Sequence, residues 1–243
     1  MQEELLDNKI YNKTLVRPND QRAKYAQFLI LVILILDLVS IFSSWMQLNL
    51  LNKLNAGIIP DDSVLVSNDL REMILGYVYI AIYIVSIVTF LSWFRRAYYN
   101  LSQRTIVKYT NGWAAGAWFV PILSLFRPVQ IMAEMWYGTS LLIANKDGRD
   151  EGKRGIIPAW WTLWIISNLL ANFVRRSSTN AASVDDFIFS TQADIVLSIL
   201  SIPLCLLAIL LIRTYNQKEL ELLRLDQDEP RIATSSFQVE DEF

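Results

Sequence analysis

Residues 112–128 read GWAAGAWFVPILSLFRP, and this stretch decides how the chain is arranged. It is apolar and contains two tryptophans, yet Pro121 lies in its middle and an Arg-Pro pair closes it. The segment from Gly112 to Phe126 would reach roughly 22 Å as a straight helix, less than a hydrocarbon core of about 30 Å. Pro121 also removes a backbone donor and weakens the turn before it. We therefore predict a re-entrant or interfacial helical element over 112–144, not a membrane span.

The rest of the chain alternates long uncharged blocks with charged segments, as multi-pass helical membrane proteins do. Hydrophobic residues make up 53% of its 243 residues. Four blocks are long enough to cross a bilayer, so we expect an all-α transmembrane domain over residues 25–215. The expected spans are 28–50, 73–94, 155–174 and 195–212. Residues 1–24 form an N-terminal segment outside the membrane, and residues 216–243 a polar, partly disordered tail.

The distribution of Lys and Arg supports four spans and sets their orientation. Eighteen of the 22 lie in the N-terminal segment, between the second and third spans, and in the C-terminal tail. Only four lie in the opposite loops, 51–72 and 175–193. A fifth span at 112–126 would abolish this bias. Because cytoplasmic loops carry the excess of positive charge, we expect both termini in the cytoplasm.

Composition also excludes several function classes. Histidine is absent, which removes imidazole general bases, Ser-His and Cys-His pairs and histidine metal sites. The single cysteine, Cys205, has no partner for an intramolecular disulfide. Net charge is −2, which gives no indication of nucleic acid as a partner. Asp37 and Asp194, the latter expected at the outer interface, lack the sequence context of an intramembrane protease. We expect no enzyme activity, no catalytic residue, no cofactor and no metal site.

Polar side chains recur on one face of three predicted spans. The stripes are Asp37, Ser40, Ser44 and Gln47 in the first span, Tyr79, Tyr83, Ser86 and Trp93 in the second, and Asn168 and Asn172 in the third. Spacings of three and four place each set on one helix face, so we expect these faces to meet inside the bundle. They either form interhelical hydrogen bonds that fix the packing, or line a polar cavity or proton site around Asp37.

One carboxylate follows the 112–128 stretch within the apolar segment QIMAEMWYG. We expect this residue, Glu134, to form an ion pair with Arg127, two turns earlier on the same face, or with Arg95 or Arg96. The alternative is a carboxylate that contacts a ligand.

Three blocks carry a family signature: WFRRAYYNL (93–101), GWAAGAWFVPILSLFRP (112–128) and PAWWTLW (158–164). Together they resemble the bacterial integral-membrane family catalogued as domain of unknown function 4328. The matching positions are Trp93, Phe94, Arg96, Ala97, Tyr98, Asn100, Leu101, Gly112, Trp113, Ala114, Gly116, Trp118, Phe119, Pro121, Trp160, Trp161 and Trp164. Ser124 and Val129 depart from the pattern, which has asparagine and an aromatic residue there. The resemblance implies a membrane location and no established activity.

The candidate contacts with a ligand or partner come from these blocks and from the segment that follows the second one. They are Trp93, Arg96, Tyr98, Asn100, Gly112, Trp113, Gly116, Trp118, Pro121, Arg127, Pro128, Glu134, Trp160, Trp161 and Trp164, with Asp37, Asn168 and Asn172 as intramembrane polar candidates. The small residues of 114–117 favour close helix contact, and Trp113 and Trp118 suit the headgroup level.

Basic residues are expected to gather around the mouth of the 112–128 stretch. They are Arg95, Arg96, Arg104, Lys108 and Arg127. Anionic lipid headgroups are the simplest partner for such a cluster, and topology-setting charge alone is the alternative.

Two functions follow from these patterns. The first is a non-enzymatic scaffold or partner subunit, with a protein partner or a second copy, in the bacterial cytoplasmic membrane. The second is a transporter, channel or lipid-binding module that uses the 112–144 element and the Asp37 stripe. A cavity that joins Asp37 to Trp118 and Glu134 favours the second, and a dry, packed bundle favours the first.

Overall fold

The computed structural model describes residues 16–148 and 155–228, which form helices and connections without a strand. The α-helices are α1 (Asp20–Asn55), α2 (Asp62–Ser102), α3 (Trp113–Gly116), α4 (Arg127–Asp147), α5 (Ile156–Asn180) and α6 (Val184–Asp228). A 3₁₀ turn at Leu123–Leu125 lies between α3 and α4. Helices α1, α2, α5 and α6 are long and apolar enough to cross a membrane, which confirms the all-α fold class with four predicted spans.

These helices continue well beyond their apolar blocks. Only residues 56–61 join α1 to α2, and only residues 181–183 join α5 to α6. The expectation of two polar loops over 51–72 and 175–193 was therefore wrong, because most of those residues extend the helices. Exposed ends of a helix tolerate charged residues, so hydropathy marks the membrane-spanning part and not the helix boundary.

The C-terminal tail is also helical over part of its predicted length. Helix α6 continues to Asp228, so residues 216–228 are ordered, and Leu222 is fully buried. The remaining tail, 229–243, and most of the predicted N-terminal segment, 1–15, lie outside the described residues.

Local sequence signals account for several helix ends. Pro128 stands in the first turn of α4, where its missing N–H costs nothing. Gly148 ends α4 in the left-handed conformation at φ 71°, and its N–H donates to the Ala144 carbonyl at 2.8 Å. Helix α6 begins with a capping box, in which Ser183 and Asp186 bond each other's backbone N–H.

The four spanning helices pack as a row. Helices α1 and α6 pack along each other at the centre of the row. Helix α2 packs on the outer side of α1, and α5 packs on the outer side of α6. Among the described residues, α2 and α5 have no comparable contact with each other. The row therefore leaves a gap between α2 and α5.

The 112–144 element closes one end of this row. Helix α4 packs on the part of α6 that follows the last apolar block: the hydroxyls of Thr139 and Tyr215 lie 3.2 Å apart, and Lys146 pairs with Asp226 at 3.0 Å. These contacts favour the interfacial alternative over re-entry. We call this end, where residues 16–24, 92–148 and 213–228 meet, the basic end, and the opposite end the far end.

Candidate functional site

A loop tryptophan holds the basic end together. The Trp118 ring lies 5.4 Å from Phe90 of α2 and 5.6 Å from Trp164 of α5, centroid to centroid, in edge-to-face arrangements. Further contacts complete what we call the tryptophan cluster, which is Phe90, Trp93, Phe94, Trp118, Trp160, Trp161 and Trp164. Trp118 thus fills the gap between α2 and α5 at this end.

The cluster brings together all three family blocks. Trp93 is fully buried against Tyr215. Trp161 donates its indole N–H to the Leu125 carbonyl at 3.0 Å, which ties α5 to the turn after Pro121. Trp113 is exposed, as a headgroup contact requires. The interfacial expectation therefore fits Trp113, whereas Trp118 is half-buried and its ring packs inside the tryptophan cluster.

Asn100 joins both terminal segments to α2. Its side-chain oxygen accepts from the Arg17 N–H at 3.0 Å, and its amide donates to the Arg17 carbonyl and to Glu219. Asn19 donates to the other oxygen of Glu219 at 3.1 Å. Glu219 lies beyond the membrane-spanning segment 195–212 and is 3% exposed. Burial raises the pKa of Glu219, and the hydrogen bonds from Asn100 and Asn19 oppose that rise.

Glu134 does not form the expected ion pair. It accepts hydrogen bonds from the Tyr98 hydroxyl, at 3.0 Å, and from the Lys108 backbone N–H. The Arg127 guanidinium instead lies 4.2 Å from the centre of the Tyr109 ring. Tyr98 and Glu134 therefore fix the connection after α2, because a bent connection offers unpaired backbone N–H groups that a carboxylate can satisfy.

The small residues of the 112–128 stretch differ in role. Ala114 and Ala117 are fully buried, as close packing requires. A side chain at Gly112 or Gly116 would meet no atom within 4 Å, so packing does not demand glycine there. The tight position is Gly138 of α4, where an added Cβ would lie 3.1 Å from Leu101.

Four arginines line one pocket at the basic end, which we call the arginine pocket. The lining residues are Arg17, Arg22, Arg95, Arg96, Val88, Leu91, Ser92, Tyr99, Asn111 and Ala115, around a volume of about 650 Å³. No carboxylate appears in the lining that the described residues provide. Glu219 lies outside the lining and attracts Arg96, but its oxygens already accept hydrogen bonds from Asn19 and Asn100.

The pocket corrects the predicted basic cluster. Arg95 and Arg96 do lie together, but Arg104 is buried in an ion pair with Asp226 at 2.8 Å. Lys108 and Arg127 lie over the Tyr109 ring. Arg17 and Arg22 line the pocket instead. Arg22 donates to the Ser92 hydroxyl, and Arg17 lies 5.0 Å from the Tyr99 ring centre. Sequence spacing could not reveal this, since some 70 residues separate Arg22 from Ser92.

A second space, the Asp37 cavity, occupies the gap between α2 and α5 toward the far end. Its lining includes Asp37, Ser40, Ser44, Glu72, Tyr79, Tyr83, Trp164, Asn168, Asp194 and Ser201, around about 470 Å³. Tyr79, Tyr83 and Trp164 also line an adjoining apolar pocket of about 290 Å³ that reaches Trp118 and Phe90. The two spaces together extend from Asp37 to the tryptophan cluster, but Glu134 lies outside both.

The polar stripes meet as the sequence predicted, with exceptions. Tyr79 donates to Asp37 at 3.0 Å across the helix pair. Asn168 lines the cavity, although its amide donates to Trp164 within its own helix. Asn172 is exposed and donates to the Asn168 carbonyl, so it does not face the cavity. Asp194 lines the same cavity as Asp37 and accepts from Ser44 at 3.2 Å, which sequence analysis missed.

Comparison with known proteins gives one match. The family model described as "Domain of unknown function (DUF4328)" matches residues 58–217, which include all three signature blocks. No curated protein and no solved structure shows significant similarity to the chain.

Proposed function

The chain belongs to the DUF4328 family, a domain of unknown function, and on that premise we propose a non-enzymatic membrane module that binds anionic lipid headgroups in the arginine pocket. It acts in the bacterial cytoplasmic membrane, with the basic end and both termini on the cytoplasmic side. The observation that carries this proposal is a pocket lined by four arginines and no carboxylate within the described residues.

The electrostatics of the pocket favour an anion. The guanidinium charges of Arg17, Arg22 and Arg96 repel one another. An anionic phosphate group would relieve this repulsion and accept the paired N–H donors of a guanidinium.

The order of side chains along α2 favours a lipid over a free anion. Val88 and Leu91 form the apolar side of the pocket, and Arg95, Arg96 and Tyr99 follow one and two turns later. A lipid places its acyl chains and its phosphate in the same order across the membrane interface. Each arginine near an anionic surface contributes about 1 kcal/mol.

Lipid retention in nanodiscs tests the pocket. Discs that contain phosphatidylglycerol and phosphatidylcholine are exchanged into detergent, and the lipid retained per protein is measured by native mass spectrometry. The double variant Arg95→Gln/Arg96→Gln should retain phosphatidylglycerol roughly 30-fold less well. The matched control is Arg175→Gln/Arg176→Gln, the exposed Arg-Arg pair at the far end. Equal retention by both variants, or displacement of the lipid by millimolar inorganic phosphate, contradicts the proposal.

Cysteine labelling tests the orientation. In a Cys205→Ser background, an impermeant maleimide on intact cells should label Asp62→Cys at the far end. Gly112→Cys and Asn145→Cys, exposed at the basic end, should react only after the membrane is opened. The reverse pattern would place the basic end outside.

A second candidate function is a scaffold or partner subunit, with a protein partner or a second copy of the chain. The observation that favours it is the exposure of α2, whose most apolar stretch is only 6% buried. Purification in mild detergent should then yield a complex or an oligomer. A lone monomer would contradict this second candidate and leave the lipid proposal intact.

A further inference from the structure

The carboxyl groups that line the Asp37 cavity outnumber their basic partners. Three carboxyl groups line it, from Asp37, Glu72 and Asp194, and no Lys or Arg does so within the described residues. Arg71 pairs with Glu72 at 3.0 Å and also donates to Ser43 and Asn68, so one carboxyl has a counter-charge. Asp37 and Asp194 have none in the described part of the chain.

Asp37 is the buried carboxyl group of this cavity. The residue is 1% exposed, and its Oδ1 atom accepts from the Tyr79 hydroxyl at 3.0 Å. Its Oδ2 atom is buried and has no hydrogen-bond partner at normal distance among the described residues, although the Ser201 hydroxyl is nearby. A buried carboxylate with an unpaired oxygen is costly unless a donor or a cation occupies the adjoining space.

The remaining lining suits an organic cation better than a metal ion. In the described residues, no three Asp, Glu or Cys side chains are close enough together to hold a metal ion. The cavity instead presents the aromatic rings of Tyr79, Tyr83 and Trp164 beside the carboxyls. Aromatic faces attract ammonium and other soft cations.

The shape of the space suits a ligand that has an apolar body beside its charged group. From Tyr79, Tyr83 and Trp164 the space continues into the apolar pocket that ends at Phe90, Trp118 and Trp160. An elongated molecule could thus place its positive charge against Asp37 and its apolar part against the tryptophan cluster.

We propose that the gap between α2 and α5 is a binding site for a lipophilic organic cation. The charged group lies between Asp37 and Asp194, and the apolar body lies in the pocket that ends at Trp118. This site is independent of the arginine pocket, which takes the opposite charge at the basic end. Either site can fail its test without affecting the other.

Equilibrium binding of tetraphenylphosphonium tests the site. Radiolabelled probe is dialysed against purified protein in detergent, with protein-free micelles as the blank. Saturable binding of one probe per chain is expected. Tetraphenylborate, an anion of nearly the same size and shape, should show no saturable binding. No saturation by the cation, or equal binding of the anion, overturns the proposal.

Variants locate the probe within the protein. Asp37→Asn and Asp194→Asn should each weaken binding at least tenfold. Asp62→Asn is the control, an exposed aspartate at the far end that should bind as the unmodified chain does. Unchanged binding in the Asp37 variant would show that the positive charge of the probe lies elsewhere, and it would overturn the proposal.

A steric variant separates loss of binding from loss of folding. Gly76 lines the cavity, and a Cβ added there meets no atom within 4 Å. Gly76→Leu should therefore fold normally, as judged by its melting temperature and elution volume, keep every carboxyl and still lose the probe. Full binding by this variant contradicts the proposed position.

Discussion

At the basic end, Trp118 fills the space between α2 and α5, whereas toward the far end the same two helices stay apart and leave the Asp37 cavity. Two buried carboxylates differ in the same way. Glu219 has hydrogen bonds to both of its oxygens, but one oxygen of Asp37 is unpaired among the described residues. The first region is packed like a soluble protein core, and the second is a cavity with space for a ligand. The tryptophans of the family signature thus mark where stability lies, whereas Arg95 and Arg96 of the same signature line the arginine pocket.

The largest loss of stability is expected when the ring that fills the space at the basic end is removed. Trp118→Ala should lower the free energy of unfolding by about 3 kcal/mol or more, because the cavity it leaves is lined by rings that cannot collapse onto each other. The melting temperature in detergent measures the effect. Its neighbour Phe119 is 71% exposed, so Phe119→Ala serves as a control with little change. Equal melting temperatures would show that the cluster does not hold the bundle together.

A smaller loss is expected at the junction of the terminal segments. Asn100→Ala leaves a buried oxygen of Glu219 and the backbone of Arg17 without their partners, at a cost of about 2 kcal/mol. Hydrogen exchange should accelerate at the Arg17 amide. The matched control is Asn145→Ala, an exposed asparagine on α4. If exchange over residues 16–19 does not change, another contact fixes this segment.

The smallest expected effect distinguishes a glycine within the signature from one outside it. Gly138→Val should destabilise the protein by about 1–2 kcal/mol, because its Cβ would meet the buried Leu101 side chain. Gly116→Val in the family motif has open space and should cost less. Thermal unfolding of both variants checks the difference. The reverse order would mean that Gly116 is required for packing in the membrane.

The sequence was sufficient for the four spans because a membrane allows few solutions. Backbone groups must be satisfied within each segment, so a long apolar block becomes a helix. Spacing along one helix likewise placed Asp37, Ser40 and Ser44 on one face. Length and Pro121 together excluded a fifth span at 112–126.

The partners of individual side chains were harder to predict. Glu134 was expected to pair with Arg127, yet it satisfies the Lys108 N–H, which only the bend after α2 brings near. Arg17 and Arg22 reach Tyr99 and Ser92 from the opposite end of the sequence. Such pairings depend on how helices are arranged in the row, and periodicity within one helix contains no information about its neighbours.

The contact between Asn19 and Glu219 joins residues 200 positions apart. During synthesis the start of the chain emerges long before its partner on α6 exists. Asn19 can therefore form this contact only after the last helix has been inserted and its extension has docked. A truncated or incompletely inserted chain would lack the junction of Asn19, Asn100 and Glu219, so slow hydrogen exchange at that junction would report a finished molecule.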